Sequence, residues 1–269
     1  MRFATLFAVA CISLLAADAN SLTPAEKAAG WRLLFDGKTL NGWEDTGKKD
    51  PPGKSWTIED GCIKSQPKPG LREDLFTTES FSDFELVFQW KISPGGNSGL
   101  KYRIQDRFFL NEALIRTGKF KRFEDLANDA IATRSVLREQ ATQEYIVGFE
   151  YQVIDDSGHA DARRGAFYQA GALYDMIAVT QKTAKAPGEF NDARIVVRGK
   201  HMEHWLNGVK VAEGDLGSPD AAAKAAKRWG TSSPIYKALA DVPKLKTPIA
   251  LQNHNDAAWF RGIKIRTLR

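Results

Sequence analysis

The sequence predicts an all-β protein, a sandwich or barrel of short antiparallel strands. Runs in which apolar and polar residues alternate recur along the chain, among them "FELVFQWKIS", "SGLKYRI" and "EYQVID", and Gly, Pro, Asn or Asp separates them. Several short strands with turn signals between them are typical of such folds. The chain has 269 residues, 43% of them hydrophobic and 26% charged, which indicates a globular protein with enough apolar residues for one large core.

The chain begins with "MRFATLFAVACISLLAADANS", an arginine followed by an apolar run and the small-x-small triplet "ADA". This pattern is typical of a secretory signal peptide. We expect residues 1–19 to be removed, residues 20–269 to form a single domain, and the mature protein to be periplasmic or secreted. No later segment approaches the ~20 apolar residues that a membrane span requires, so we expect none. Without the signal peptide Cys62 stands alone, and the core must stabilise the fold without an internal disulfide.

Two hairpins are visible in the strand pattern. In "HMEHWLNGVKVAEG" the pair Asn207-Gly208 supplies the left-handed residues of a tight turn between alternating strands. In "IEDGCI" the pair Asp60-Gly61 does the same. Each pair predicts two adjacent antiparallel strands.

Two segments depart from the β pattern. In "FEDLANDAIATRSVLREQ" apolar residues fall at helical spacing, which predicts a helical insertion over about residues 105–147. In "SPDAAAKAAKRW" Ser218 is a candidate N-cap with Pro219 at the first helical position. Both helical segments are too short to be separate domains.

The segment "FEYQVIDDSGH" contains many polar residues for a strand of its length. Period-two alternation sends Phe149, Tyr151 and Val153 to one face and Glu150 and Gln152 to the other. The apolar set is expected to pack between the sheets. The polar pair then lies on an outer face, which in a curved sheet can form the floor of a site.

Two further strands each present a polar pair in the same way. In "NSGLKYRI" alternation sends Lys101 and Arg103 outward, and in "PIALQNH" it sends Gln252 and His254 outward. For any one pair the simpler interpretation is a solvated strand face. Together, a carboxylate, an imidazole, two cations and amides are what a proton-transfer site for a polar substrate contains.

The loop after this strand carries Asp155, Asp156 and His159. Asp and Ser-Gly make turns without any function, whereas loops on a rigid scaffold also carry catalytic groups, so both interpretations stay open. We include Asp155 and His159 as secondary candidates for the site.

Several function classes are disfavoured by the sequence. The net charge is +5, but the basic residues are scattered among acids, which argues against a nucleic-acid partner. There is no HExxH, no cysteine cluster, no phosphate loop and no Gly-x-Ser-x-Gly elbow. No cofactor is therefore predicted, and the sequence leaves a divalent metal open.

Seven motifs in order resemble one known family. They are "WRLLFDGKTLNGW", "NSGLKYR", "GFEYQVIDD", "GALYD", "MEHWLNG", "SPD" and "PIALQNHNDAAWFRGIKI". This series, from about Gly30 to Leu268, is similar to the 3-keto-disaccharide hydrolase domain family. The resemblance implies a concanavalin-like jelly-roll sandwich of two antiparallel sheets. It also implies export, and action on an oxidised mono- or disaccharide that a separate C3 sugar dehydrogenase must supply. Gly262 and Asn255 depart from the family's pattern, which usually has Asn and Gly at these places.

Such a substrate suits the residues found here. A ketone at C3 acidifies the C2 proton, so that a carboxylate or imidazole can remove it and the C1 substituent can leave by β-elimination before water adds back. We expect Glu150 and His254 to supply the acid/base pair. Lys101, Arg103 and Gln152 are expected to polarise the keto sugar, and Gln252, Asp155 and His159 to contribute to binding.

Two alternatives remain at the level of sequence. A lectin-like module would use the same fold and polar face to bind a sugar without cleaving it. A conventional glycosidase would need two carboxylates across the scissile bond, the second being a residue such as Asp155 or Asp175.

Overall fold

The described strands form two antiparallel sheets, in a computed structural model that describes residues 19–45 and 54–268. The predicted signal peptide lies outside the described residues except for Ala19. The strands are β1 Arg32–Leu33, β2 Trp43–Glu44, β3 Trp56–Glu59, β4 Cys62–Ser65, β5 Leu75–Thr77, β6 Phe84–Ile92, β7 Asn97–Leu110, β8 Gln143–Ile154, β9 Asn191–Arg198, β10 His201–Leu206, β11 Val209–Asp215, β12 Ala250–Asn253 and β13 Ala258–Thr267. The helices are α1 Pro24–Ala28, α2 Ala113–Arg116, α3 Phe123–Thr133, α4 Pro219–Trp229 and α5 Pro234–Asp241, with short 3-10 turns at Arg138–Gln140, Ala162–Arg164 and Ala166–Tyr168.

The larger sheet has the strand order β11-β10-β9-β6-β13-β4-β3, and β1 also pairs with β13. The smaller sheet has the order β2-β5-β12-β7-β8. Strands distant in sequence are neighbours in both sheets, as β6 and β13 are, so the chain crosses repeatedly between the layers. The protein is the jelly-roll β-sandwich that the sequence predicts.

Both predicted hairpins are confirmed. Leu206 pairs with Val209 around the Asn207-Gly208 turn, and Glu59 pairs with Cys62 around Asp60-Gly61. The predicted start of α4 is confirmed as well, since the Ser218 side chain accepts a hydrogen bond from the backbone N–H of Ala221.

The core lies between the two sheets and is built by alternation along the strands. On β8 the side chains of Phe149, Tyr151 and Val153 are buried in it, and Ile249 just before β12 and Leu251 on β12 join them. The alternate residues of the smaller sheet therefore face away from the larger sheet.

A polar link crosses this core. His204 on β10 is fully buried, and its Nε2 lies 2.9 Å from the Tyr102 hydroxyl of β7 in the other sheet. Its Nδ1 lies 2.9 Å from the Gly171 carbonyl oxygen. Burial lowers the pKa of His204 to about 3, so the ring is neutral at physiological pH.

A bulge in β7 changes which face its later residues occupy. The pairing with β8 shifts between Tyr102 and Asp106, and Arg103 has a φ of 49° within the shift. The alternation that sends Lys101 and Arg103 outward would send Ile104 into the main core, but Ile104 lies instead in a separate apolar cluster with Phe76, Ile146 and Ala250. The assignment of faces by alternation is therefore wrong at Arg103 and Ile104, because residues 103–105 of β7 stand opposite the single residue Gly148 of β8.

Helices cover part of the outer face of the smaller sheet. Strands β7 and β8 extend to Leu110 and from Gln143, so the segment between them is residues 111–142 and contains α2 and α3. Helices α3 and α5 pack against β7, and α5 also contacts β8. Within the described part of the chain, no helix is both long enough and apolar enough to cross a membrane.

Candidate functional site

A cavity of about 310 Å³ lies on the outer face of the smaller sheet. Strands β7, β8 and β12 form its floor, while α3, α4, α5 and the loop after β8 form its walls. The polar floor residues are Lys101, Glu150, Gln152, Gln252 and His254. The fold thus brings together the polar pairs of β8 and β12 and the first residue of the pair on β7.

Strand register explains how these side chains meet. Glu150 of β8 is directly opposite Lys101 of β7, and Gln152 is opposite Gly99. On the other edge of β7, Gly99 is opposite Gln252 of β12. Residues opposite one another on a face lie within side-chain reach, so three strands that are distant in sequence share one polar surface.

The cation of the floor, Lys101, is buried between two carboxylates. Lys101 Nζ lies 3.0 Å from Asp74 Oδ2 and 4.0 Å from Glu150 Oε2, and the Lys101 side chain is only 5% exposed. Burial opposes the charged form of Lys101, but the carboxylates of Asp74 and Glu150 outweigh it and raise the pKa of Lys101. The ammonium is therefore fixed and charged next to Glu150.

Glu150 has the properties of a general base for neutral pH. Burial raises the pKa of its carboxyl to about 7, with Lys101 opposing this rise and Asp74 adding to it. The Glu150 side chain is 14% exposed, so it remains open to the cavity. A carboxyl tuned in this way exchanges a proton readily near neutrality.

His254 follows β12 and is the imidazole of the site. Burial lowers its pKa to about 4, with the nearby charge of Arg72 and then His159 contributing. Within residues 19–45 and 54–268 its ring has no hydrogen-bond partner. His254 is thus a neutral imidazole whose nitrogens are available to a ligand.

Two amide oxygens of the floor are buried and unpaired. Gln152 Nε2 donates to Asn97 Oδ1 at 3.1 Å, and Gln252 Nε2 donates to Glu150 Oε2 at 3.2 Å. The Oε1 atoms of both glutamines have no partner among the described residues. Buried polar atoms are usually hydrogen-bonded, so these two acceptors are available to the donor groups of a ligand, such as hydroxyls.

The walls carry arginines that are each paired with an acid. Arg72 bonds Glu112 and also donates to Gln143 Oε1 at 2.9 Å. Two further pairs line the cavity: Arg164 with Asp161 at 3.0 Å, and Arg228 with Glu124 at 3.4 Å. The walls therefore carry many charged side chains but little net charge.

Aromatic side chains line the helical side of the cavity. The rings of Phe123 on α3 and Tyr145 on β8 have centroids 5.4 Å apart, and Trp229 at the end of α4 packs 5.8 Å from Tyr145. Arg228 stacks over the Trp229 ring at 4.8 Å. The cavity thus has a polar floor and an aromatic wall.

Arg103, predicted to share the floor with Lys101, lies elsewhere. Its side chain is fully buried and donates to the carbonyl oxygens of Ser82, Leu245 and Gly199, as well as to Asp83. The bulge in β7 turns this residue away from the cavity. In this position Arg103 ties three chain segments together.

The two secondary candidates of the loop differ in position. Asp155 does not line the cavity; its carboxylate accepts from Ser157 N at 2.9 Å within its own turn and from Gly95 N at 2.7 Å in the connection between β6 and β7. His159 is not a lining residue either, but its ring centroid lies 6.4 Å from that of His254, and its Nδ1 accepts from Asp161 N. Asp175, the alternative second carboxylate, accepts from the Tyr168 hydroxyl at 2.7 Å.

Sequence reasoning missed several residues of the site. Asp74, the partner of Lys101, immediately precedes β5, and its only sequence signal is the charged run "RED" before a strand. The missed residues that line the cavity come from the loop after β8 and from helices: Asp161, Arg164, Tyr174, Arg228 and Trp229. No periodicity connects these segments, because tertiary packing alone brings them to the sheet.

One group of candidate metal ligands exists among the described residues. His201, Glu203 and Glu213 have ligand atoms within 4.8 Å of one another on the β10–β11 hairpin. Lys210 Nζ lies 2.6 Å from Glu213 and 3.4 Å from Glu203, so an ammonium already pairs with both carboxylates of the cluster. The group does not line the cavity.

Comparison with known proteins identifies a matching family model and a named relative. Residues 30–266 match the model of the 3-keto-alpha-glucoside-1,2-lyase-like domain. The chain is also 34% identical over 270 aligned residues to a Bacteroides thetaiotaomicron protein named 3-keto-disaccharide hydrolase, covering 95% of this chain and 84% of that protein.

Two solved structures from Parabacteroides distasonis, both provisionally named glycosyl hydrolases, have a similar fold. The first is 27% identical with a TM-score of 0.68 and covers 93% of this chain and 99% of its own. The second is 26% identical with a TM-score of 0.58 and covers 88% of this chain and 99% of its own.

Proposed function

This chain belongs to the 3-keto-alpha-glucoside-1,2-lyase-like family, and we propose that it cleaves 3-keto-glycosides by C2 deprotonation and β-elimination. The observation that carries the proposal is Glu150, a buried carboxyl with a pKa of about 7 beside a fixed ammonium on the cavity floor. Hydration of the unsaturated product would make the net reaction a hydrolysis.

The chemistry of the cavity favours an uncharged polyol. Its arginines are neutralised by adjacent acids, so an anionic sugar would find no free cation on the described walls. The unpaired oxygens of Gln152 and Gln252 can accept hydrogen bonds from ring hydroxyls. The aromatic wall of Phe123, Tyr145 and Trp229 can cover the apolar face of a sugar or aglycone.

Proton abstraction is assigned to Glu150. The C2–H electron pair moves into the C2–C3 bond as the proton passes to the carboxylate, and the C3 oxygen becomes an enolate. The Lys101 ammonium and a neutral His254 N–H stabilise that oxygen. A carboxylate base combined with a neutral imidazole donor is an established solution for enolisation next to a carbonyl.

Elimination and hydration complete the reaction. Collapse of the enolate re-forms the C3 carbonyl and expels the substituent from C1, leaving a double bond between C1 and C2. The proton held by Glu150 passes to the departing oxygen, which restores the base. Water then adds across the double bond, its hydroxyl to C1 and its proton to C2.

The proposal extends to the cellular setting. The leader at residues 1–19 supports export of a single mature domain comprising residues 20–269. Because the substrate must already carry a C3 ketone, a separate sugar dehydrogenase has to act before this protein.

Cleavage of matched substrates tests this function. Purified mature protein is incubated with a simple glucoside and with its 3-keto derivative, each with and without a chelator, and release of the aglycone is followed by chromatography. We expect release from the keto compound alone. Binding of the keto compound without release would support a lectin, and equal cleavage of the unoxidised glucoside would support a conventional glycosidase. If the chelator abolishes aglycone release, the reaction requires a metal ion.

A further inference from the structure

A gap above Gly99 shapes the floor of the cavity. A Cβ atom built on Gly99 would lie 2.4 Å from Glu150 Oε1 and 2.7 Å from Glu150 Cδ, well inside any normal contact. The Glu150 side chain therefore lies directly over the Gly99 backbone. Gly99 does not have a positive φ, so its backbone conformation does not require glycine.

The gap explains how Glu150 reaches its amide partner. Glu150 belongs to β8 and Gln252 to β12, and β7 lies between these strands. The carboxylate crosses β7 over Gly99 and accepts from Gln252 Nε2 at 3.2 Å. Any side chain at residue 99 on this face would block that path.

We propose that Gly99 is a positioning residue for Glu150, because the space it leaves fixes the carboxyl against the sheet floor and aims it into the cavity. The inference rests on the proposed role of Glu150 as the base. Gly99 itself touches no reacting atom in this account.

The adjacent residues of the same "NSG" segment hold the other floor groups. Asn97 Oδ1 accepts from Gln152 Nε2 at 3.1 Å, which leaves Gln152 Oε1 unpaired. Ser98 Oγ donates to the Gln252 carbonyl oxygen at 2.7 Å and so ties β12 to β7. Each residue of the segment thus supports a different polar residue of the floor.

The variant Gly99→Ala tests the inference without removing a polar group. The added methyl meets the end of a flexible side chain, so Glu150 rather than the backbone is expected to move. Titration of glutamate side chains by carbon-13 NMR, with Glu150→Gln to assign the signal, reports the position of the carboxyl directly. The charged and titratable groups facing Glu150 are Lys101, Asp74, Arg228, Asp161, Tyr145 and Tyr174, and all are unchanged in this variant.

We expect the Glu150 midpoint to fall from about 7 toward the ordinary glutamate value, because the carboxyl is lifted into the open cavity. An unchanged midpoint would overturn the proposal. If Gly99→Ala folds poorly, the double variant Gly99→Ala/Glu150→Ala tests the inference instead. Because the side chain that the new methyl meets is then absent, the double variant should be as stable as Glu150→Ala alone. A double variant that stays unstable would overturn the proposal too.

Kinetics provide the second readout. On a 3-keto glucoside we expect Gly99→Ala to lower kcat by about 100-fold with little change in KM, the scale of a small misplacement of a catalytic group. The variant Gly99→Ala/Glu150→Gln should be no slower than Glu150→Gln alone. Additive losses would mean that Gly99 acts independently of Glu150. The NMR titration needs no turnover, so absence of enzymatic activity would count against the proposed function and not against this inference.

Discussion

His204 and His254 are both buried histidines with a lowered pKa, yet their surroundings give them different roles. Burial lowers the pKa of His204 to about 3 and that of His254 to about 4. His204 lies between the sheets, and both its nitrogens have partners, the Tyr102 hydroxyl and the Gly171 carbonyl. His254 lines the cavity, and its ring has no hydrogen-bond partner in the described chain. Hydrogen-bond satisfaction, rather than burial, separates the structural histidine from the candidate catalytic one.

The two cations of β7 also differ in their surroundings. Lys101 faces the cavity and contacts the candidate base, whereas Arg103, two residues later, is surrounded by backbone carbonyls. Both side chains are almost completely buried. Lys101 is therefore placed to act on a ligand in the cavity, whereas the bonds of Arg103 to backbone carbonyls hold chain segments together.

The largest effect is expected from Glu150→Gln, which keeps the shape of the side chain and removes its charge. The rate on a 3-keto glucoside should fall by about 10² to 10⁴, the usual contribution of a general base. Glu124→Gln is the matched control, because Glu124 also lines the cavity but only pairs with Arg228. A wild-type rate for Glu150→Gln would remove Glu150 from the mechanism.

The histidine comparison predicts opposite outcomes for two equivalent substitutions. His254→Gln should lower kcat by about 10² to 10³, the scale of losing one donor to a developing oxyanion, and leave the thermal midpoint nearly unchanged. His204→Gln should lower the free energy of unfolding by about 1–3 kcal/mol, because it disturbs the partners in the core, and leave kcat of the folded enzyme intact. Kinetics and thermal unfolding on both variants measure this. Loss of stability in His254→Gln together with loss of kcat in His204→Gln would contradict the roles assigned to the two histidines.

The pH dependence sharpens the assignment of Glu150 as base. Its pKa is raised to about 7 in the folded protein, so the carboxyl is mainly protonated below that pH and ionised above it. We expect kcat/KM to rise about tenfold per pH unit below this midpoint and to level off above it. A rate that decreases with pH through the same range would instead make Glu150 the proton donor.

The smallest catalytic effect is expected at Arg103. Arg103→Met should lower the free energy of unfolding by about 1–3 kcal/mol, since buried carbonyl oxygens lose a charged donor, and should leave KM and kcat unchanged. Urea unfolding and steady-state kinetics test this. An increase in KM without loss of stability would instead show that Arg103 contributes to substrate binding.

The sequence predicted most polar residues of the cavity floor but none of the residues of its walls. Alternation placed Glu150 and Gln152 on one face of β8, and Gln252 of β12 on the same side as His254 just after it, because β8 and β12 are regular there. It failed for Arg103 because a bulge carries no clear signal in a single sequence. Asp74, the partner of Lys101, and Arg228 of the wall were missed because tertiary packing alone brings them to the site from other elements.

The central claim is that cleavage proceeds through loss of the C2 proton, and NMR in deuterated water tests it most directly. The purified protein is given a 3-keto glucoside, and the released keto sugar is examined for deuterium at C2. Deuterium at C2 that appears together with aglycone release, and is absent with Glu150→Gln, is the predicted result. Aglycone release with the original proton retained at C2 would contradict elimination.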